Sequence, residues 1–140
     1  MQVLDSSYYK EINNLITFLK LEKKIKIITG IPNDHLPKIY RNSYLYLFSS
    51  YSEVFGLTTL EAMNFNIPVL ISNSSALPEI NGEAPIYFEL NNQSDFVKKL
   101  NIAITDKDLR KKMIVKGSEN LKRFEWQNTV SETIDIIENA

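Results

Sequence analysis

The chain has 140 residues, 44% of them hydrophobic, with a formal net charge of −1 and no cysteine. This length can bury one core, so the sequence predicts one domain or part of one. The near-neutral charge gives no basic surface for nucleic acid, and the lack of cysteine excludes disulfides and thiolate zinc sites. With no signal-peptide pattern and no apolar run long enough to span a bilayer, we expect a cytoplasmic protein.

Helical and strand-like periods alternate along the first two thirds of the chain. Its strand segments are apolar throughout, as expected when helices cover both faces of a parallel sheet. The pattern therefore predicts an α/β fold with a doubly wound, Rossmann-like parallel sheet. The first predicted elements are a helix with Tyr8, Ile12, Leu15, Ile16 and Leu19 on one face and Asp5 or Ser6 as its cap, a strand at Ile25–Thr29, and a short helix with Leu36, Ile39 and Tyr40 inward. They are followed by a strand at Tyr44–Ser49, a helix around Glu61 and a strand at Pro68–Ser72. This part of the chain ends with a single turn at Ala76–Ile80 and a strand at Pro85–Glu89.

The last third of the chain is predicted to be entirely helical. No internal repeat or low-complexity linker divides it from the strands, so we expect one α/β unit. Three helices are predicted: one capped by Ser94 with Phe96, Val97, Leu100 and Ile104 inward, one starting at Asp106 with Leu109 and Met113 inward, and one from Trp126 with Val130, Ile134 and Ile137 inward.

The segment SEVFGLTTLEAM, residues 52–63, places Glu53 and Glu61 on either side of a turn and a predicted helix start. Unpaired amides and the helix dipole at such a start attract phosphate. Carboxylates repel phosphate but accept hydrogen bonds from sugar and ribose hydroxyls. The loop Ser49–Leu57 leaves the carboxyl end of a strand, where parallel sheets bind ligands, and Gly30–Asn33 leaves its neighbour in the same direction. The segment therefore predicts a site for a nucleotide sugar.

Several segments together resemble a known family. They are Gly30 and the later HLPKIYRNS, SSYSEVFGLTTLEAM, IPVLIS, ALPEINGEAPIYF, DKDLRKKM and KRFEW. In this order they resemble the C-terminal, nucleotide-sugar-binding domain of a retaining glycosyltransferase of the group 1 family, which has the GT-B fold. The resemblance runs from about Tyr8 to the end of the chain.

The resemblance implies a role for each site residue. Glu61 would accept hydrogen bonds from the ribose of the donor, and Glu53, the catalytic candidate, would hold hydroxyls of the transferred sugar. The backbone around Ile31 would meet the nucleobase. Family members usually need no bound metal or other cofactor, and they usually serve surface polysaccharide or lipid-linked glycan synthesis. The loop positions expected to contact the sugar and diphosphate are Val54, Phe55, Gly56, Leu57 and Thr58.

The sequence departs from the family in two ways. Val54 stands where the family usually has glycine. If that position needs positive φ, Val54 is strained there, and if it does not, Val54 only narrows the sugar pocket. The family's first two strands, with an arginine and a lysine that clamp the diphosphate, are missing, as is the acceptor-binding domain. Residues 1–140 are therefore expected to be an N-terminally truncated domain whose sheet has a gap between Ile25–Thr29 and Tyr44–Ser49. We expect such a chain alone to catalyse little transfer.

Three alternatives stay open. Thr58 and Glu61 have the spacing of a capping box, which would give Glu61 a structural role. Asp106 and Asp108 resemble a metal-binding acidic pair, although aspartate is also a strong helix cap. The whole chain could instead be a non-catalytic remnant or subunit that binds a nucleotide or a protein partner. An N-terminal domain or companion chain, a second copy of the chain and peripheral contact with a membrane are the remaining partners considered.

Overall fold

The structure is a computed structural model that describes residues 6–139. The chain divides into two units, residues 1–36 and residues 37–140. The first unit contains helix α1 (Ser6–Phe18) and a 3₁₀ turn at Asn33–His35. The predicted first helix is thus confirmed, but Ser6 is a residue of the helix and not the cap before it. The alternative cap, Asp5, lies outside the described residues.

The predicted strand at Ile25–Thr29 is wrong. Residues 25–29 have no regular secondary structure. A strand needs a neighbour that pairs with its backbone N–H and C=O groups. None of the residues from 6 to 139 provides one for this segment. Its β-branched sequence gives the propensity for a strand but cannot supply the partner.

The second unit is built on a parallel sheet. Helix α2 (Leu36–Arg41) crosses the boundary between the units and leads to β1 (Tyr46–Phe48). Helix α3 (Leu57–Asn64) joins β1 to β2 (Val69–Ser72), and α4 (Leu77–Asn81) joins β2 to β3 (Ile86–Phe88). Within the described residues the sheet has three strands in the order β1-β2-β3. Both pairings are parallel, so the α/β class and the three later strands are confirmed.

Strand β2 is the centre of the core. All four of its residues are buried. Val69 and Ile71 pack into one hydrophobic cluster with residues of α3 and α4. Because successive side chains of a strand point to opposite faces, Leu70 lies on the other face, where it too has no exposed surface. Burial on both faces explains why this strand is apolar throughout.

The last third of the chain is helical, as predicted. It forms α5 (Gln93–Thr105), α6 (Lys107–Leu121), a 3₁₀ turn at Lys122–Phe124 and α7 (Trp126–Glu138). No helix within residues 6–139 is long and apolar enough to cross a membrane.

The caps of α5 and α6 decide two expectations. The cap of α5 is Asn92, not Ser94, because the Asn92 side-chain oxygen accepts from the Asp95 amide at 3.0 Å. Ser94 donates to that same oxygen at 2.8 Å, so it supports the cap. Asp106 caps α6 by accepting from the amides of Asp108 and Leu109. This geometry gives Asp106 the role of a helix cap rather than that of a metal ligand.

The inward positions predicted for α7 are wrong. The helix has no buried residue among those described, and Trp126 is 81% exposed. Helical periodicity identifies an apolar face, but it does not tell whether anything covers that face. Val97 and Ile104 of α5 and Val130, Ile134 and Ile137 of α7 are likewise exposed rather than inward.

Candidate functional site

The loop that leaves β1 enters α3 through Gly56. Gly56 caps the helix in the left-handed conformation, with φ of 76° and ψ of 41°. A Cβ atom at this position would lie 2.6 Å from Leu77 Cδ2. Glycine is therefore required for two reasons, the backbone conformation and the space. Because the cap residue is a glycine, no cap side chain hydrogen-bonds to the helix start that was predicted to face phosphate.

A buried polar network fixes α3 against α4. The Thr59 hydroxyl lies 2.7 Å from the Gly56 carbonyl oxygen and 2.6 Å from Asn81 Oδ1, and its single hydrogen serves these two acceptors. Asn81 Nδ2 donates to the Leu77 carbonyl at 2.9 Å. Thr59 and Asn81 have no exposed surface. The network makes the start of α3 a rigid part of the core.

Glu61 is held by a tyrosine from another helix. The Tyr40 hydroxyl, on α2, donates to Glu61 Oε2 at 2.9 Å. Burial, followed by the hydrogen bond to Glu61 and its charge, raises the pKa of Tyr40 well above its usual range. Tyr40 therefore stays a proton donor to the carboxylate. The capping-box interpretation is wrong, because α3 begins at Leu57 with Gly56 as its cap, which places Thr58 inside the helix.

The pKa of Tyr46, on β1, is affected by both glutamates. Burial is the largest cause of its raised pKa, which a hydrogen bond with Thr58 lowers. The negative charges of Glu61 and Glu53 raise that pKa further. Both carboxylates thus raise the pKa of one phenol, and the binding roles of Glu53, Thr58 and Glu61 stay predictions.

Three serine hydroxyls hold the loop that carries Glu53. Each belongs to the end of β2 or to the turn after it, and each donates to a backbone carbonyl of the loop. Ser72 donates to Ser50 at 2.6 Å and Ser75 donates to Glu53 at 2.7 Å, with Ser74 donating to Tyr51 between them. The loop is therefore fixed by hydrogen bonds as well as by its connections to β1 and α3.

The remaining loop residues are more open. Val54 is 95% exposed, and its φ is not positive. The alternative in which Val54 is strained by a backbone suited to glycine is therefore wrong. Phe55 packs edge-on against the ring of Phe124, with the ring centres 5.7 Å apart. Leu57 and Thr58 are exposed at the start of α3.

Ile31 belongs to the first unit. The residue before it, Gly30, has a left-handed conformation with φ of 66°. The implied contact between its backbone and a nucleobase stays a prediction. Within residues 6–139, no group of three or more histidine, aspartate or glutamate side chains is placed to hold a metal ion. Whether the reaction needs a metal is likewise left as a prediction.

A separate cavity of about 440 Å³ lies at the carboxyl ends of β1 and β3. It is next to the loop, but neither Glu53 nor Glu61 lines it. Its lining residues are Leu47, Ser49, Phe88, Glu89, Asn91, Asn92, Gln93 and Phe96.

Sequence reasoning missed the residues that hold the glutamates. Tyr40 was predicted only to face inward, because an inward aromatic on a short helix or strand gives no sign of its hydroxyl partner. The serines left a signal in ISNSS, where one hydroxyl ends a buried strand and two follow it, at the edge where parallel sheets usually bind ligands.

Comparison with known proteins identifies the family. Residues 5–120 match the family model described as glycosyl transferases group 1. The chain belongs to this family. The resemblance drawn from the motifs is thus confirmed, and the chain is a glycosyltransferase domain.

Individual group 1 relatives agree. The chain is 30% identical, over 111 residues, to the O-antigen chain mannosyltransferase B of Escherichia coli, an alignment of 79% of the chain and 29% of that protein. The structure of Anabaena Alr3699/HepE, solved with UDP and glucose, matches with a TM-score of 0.83 at 21% identity, over 97% of the chain and 38% of that protein. The C-terminal domain of the group 1 protein LpcC from Francisella tularensis matches with a TM-score of 0.70 at 27% identity, over 85% of the chain and 63% of that structure.

The chain spans 29% of the mannosyltransferase and 38% of HepE. It corresponds to part of these longer proteins, and the match to LpcC is to a C-terminal domain.

Proposed function

We propose that the chain forms the donor side of a glycosyltransferase. It binds a nucleotide-diphosphate sugar, and the sugar passes to an acceptor held by an N-terminal domain or a companion chain. The proposal is supported by membership of the group 1 family and by a structural match to a protein solved with UDP and glucose. The partial coverage of longer relatives supports the need for a second domain.

One observation carries the proposal. Glu53 lies in the loop before the start of α3, and Glu61 lies in the second turn of that helix, where its carboxylate accepts from Tyr40. Carboxylates accept hydrogen bonds from hydroxyls, and a helix start attracts phosphate. A ligand with hydroxyls at both ends and a diphosphate between them matches this order. Glu61 then binds the ribose and Glu53 binds hydroxyls of the transferred sugar.

The chemistry follows from this placement. During transfer the bond between the sugar's anomeric carbon and the diphosphate breaks, that carbon forms a bond to the acceptor, which gives up a proton, and the nucleoside diphosphate leaves. Negative charge therefore grows on the leaving diphosphate. The start of α3, equivalent to roughly half a positive charge, stabilises that charge, as do the amides of Phe55, Gly56 and Leu57. Glu53 keeps the reacting carbon in place through the sugar hydroxyls. No step in this scheme uses a metal.

The substitution Glu61→Ala tests the proposal. Hydrogen bonds from hydroxyls to a charged carboxylate contribute about 1.5–3 kcal/mol. We therefore expect the affinity of the 140-residue chain for UDP or GDP to fall roughly tenfold to a hundredfold. Isothermal calorimetry measures the affinity, and circular dichroism checks that the fold is kept.

Glu119→Ala is the matched control, because Glu119 is an exposed glutamate inside α6. It should leave the affinity unchanged. If Glu61→Ala keeps its fold and binds nucleotide as well as the wild type, Glu61 only anchors Tyr40 and does not bind the donor.

A further inference from the structure

Ser75 occupies an unusual backbone conformation for its type. Its φ is 53°, in the left-handed region that glycine adopts without strain and serine adopts at a cost. The residue follows β2 in an exposed turn. A glycine here would fold more easily. The serine is therefore worth explaining by what its side chain does.

The Ser75 hydroxyl donates to the carbonyl oxygen of Glu53 at 2.7 Å. That oxygen belongs to the same residue as the carboxylate proposed to bind the sugar. A fixed carbonyl restricts the peptide plane after Glu53 and so the direction in which its side chain leaves the backbone. Ser74 and Ser72 hold the loop on the N-terminal side of Glu53, at Tyr51 and Ser50. Ser75 is thus the last of three attachments and the one at Glu53 itself.

Glu61 is held in a different way. Its carboxylate accepts from Tyr40, and its backbone lies in α3. The three serines donate to carbonyls of residues 50, 51 and 53, which precede that helix. Losing the Ser75 hydroxyl should therefore loosen the position of Glu53 and leave the position of Glu61 unchanged.

We propose that Ser75 is a positioning residue for Glu53 and that it determines how tightly the sugar part of the donor binds. The nucleotide part does not depend on it. This inference rests on the proposed function, because it assigns the sugar to Glu53 and the ribose to Glu61.

The test is Ser75→Gly, which removes the hydroxyl and relieves the backbone. Binding is measured by calorimetry with UDP and UDP-glucose, and with GDP and GDP-mannose, on the 140-residue chain. For the pair that the wild type binds, the affinity for the nucleotide sugar should fall about threefold to tenfold, as expected for one lost hydrogen bond. The affinity for the bare nucleotide should stay the same, and the melting temperature should be equal or higher.

Asn66→Gly is the matched control. Asn66 also has positive φ, 57°, but it lies beyond the other end of α3. It should alter neither affinity. In a chain that already carries Glu53→Ala, Ser75→Gly should have no further effect on binding of the nucleotide sugar, because its action passes through Glu53.

The possible results distinguish a failure of the role of Ser75 from a failure of the proposed function. Equal losses for nucleotide and nucleotide sugar, or no loss for either, would overturn the role of Ser75 and leave the proposed function standing. A wild-type chain that binds none of the four ligands would remove the proposed function, and the inference would go with it.

Discussion

At the residue scale, each glutamate of the site depends on a hydroxyl from another part of the second unit. Tyr40 holds the carboxylate of Glu61, and Ser75 holds the backbone of Glu53. A carboxylate has room for several hydrogen bonds, so Glu61 can accept from Tyr40 and from a ligand at once. Preorganised acceptors bind better than mobile ones, because less freedom is lost on binding.

The Tyr40 hydroxyl should therefore contribute to nucleotide binding without touching the nucleotide. Tyr40→Phe removes the hydrogen bond to Glu61 and keeps the ring that stacks on Phe65 at 5.2 Å. We expect a loss of about 1 kcal/mol in stability and a several-fold loss in nucleotide affinity. Because its raised pKa keeps Tyr40 protonated, the ratio of wild-type to variant affinity should not change between neutral pH and about pH 10, the usual pKa of tyrosine.

Tyr87→Phe is the control for this experiment. The Tyr87 hydroxyl donates to the Gly82 carbonyl at 2.6 Å, and burial raises its pKa to about 12. The control loses one phenol hydrogen bond of the same kind but not one that touches a glutamate. Calorimetry across the pH range, with urea unfolding, measures both variants. Equal losses of affinity in the two would contradict the role of Tyr40.

The sequence predicted the two glutamates but not what holds them. Glu53 and Glu61 were recognisable because carboxylates on either side of a phosphate-attracting turn would repel phosphate and so need another purpose, such as binding hydroxyls. Tyr40 lies 21 positions before Glu61 in the chain, and no local pattern connects them. Such pairs depend on how α2 packs beside α3, which spacing along the chain does not determine.

At the scale of elements, the start of α3 packs directly against α4. Gly56 lies against Leu77, and Thr59 and Asn81 join their helices in the interior. The anion-attracting end of α3 is therefore held in place by the core and not only by the loop. A change that separates the two helices should damage the site and the fold together.

Gly56→Ala should be one of the most damaging small substitutions in the chain. It puts a Cβ 2.6 Å from Leu77 Cδ2 and forces alanine into a left-handed conformation. Overpacking and backbone strain together should lower the free energy of unfolding by about 2–4 kcal/mol. Thermal and urea unfolding measure this.

Gly30→Ala separates the two causes. Gly30 has φ of 66°, and no atom of the described residues would lie within 4 Å of a new Cβ. It carries a backbone cost without the clash, so its loss should be about 1–2 kcal/mol. If both alanine variants lose the same amount, the contact with Leu77 adds nothing.

Element prediction succeeded where the partners of an element lie within the chain. The strands around Leu47, Leu70 and Tyr87 were found because each has a neighbour to pair with. Residues 25–29 have a similar composition but no such neighbour among residues 6–139. The apolar face of α7 was found as well, but its burial was assumed, since a sequence pattern describes one face and not what lies against it.

At the scale of the whole molecule, the second unit leaves much apolar surface open. Ile137, near the end of α7, is 71% exposed, and β1 is paired on one edge only within the described residues. Exposed apolar faces and unpaired strand edges favour association. Both features agree with a chain that corresponds to part of a longer protein.

The isolated chain should therefore self-associate at micromolar concentrations. Light scattering should show a mass that rises with concentration, and Ile137→Glu should lower that mass by placing a charge on the exposed face of α7. Glu132→Gln, on the same helix, is the control and should leave the mass unchanged or higher. A monodisperse monomer with a high melting temperature would contradict this expectation.

Val54 offers a practical use of these features. Its side chain projects into open solvent beside the residue proposed to bind the sugar, and its backbone is ordinary for any L-amino acid. Exchanging it should therefore cost the fold little. A library that varies this single codon would change the surroundings of Glu53 while Gly56, Thr59 and the serine attachments stay as they are. Position 54 is thus the natural place to start when testing which sugar the proposed site prefers.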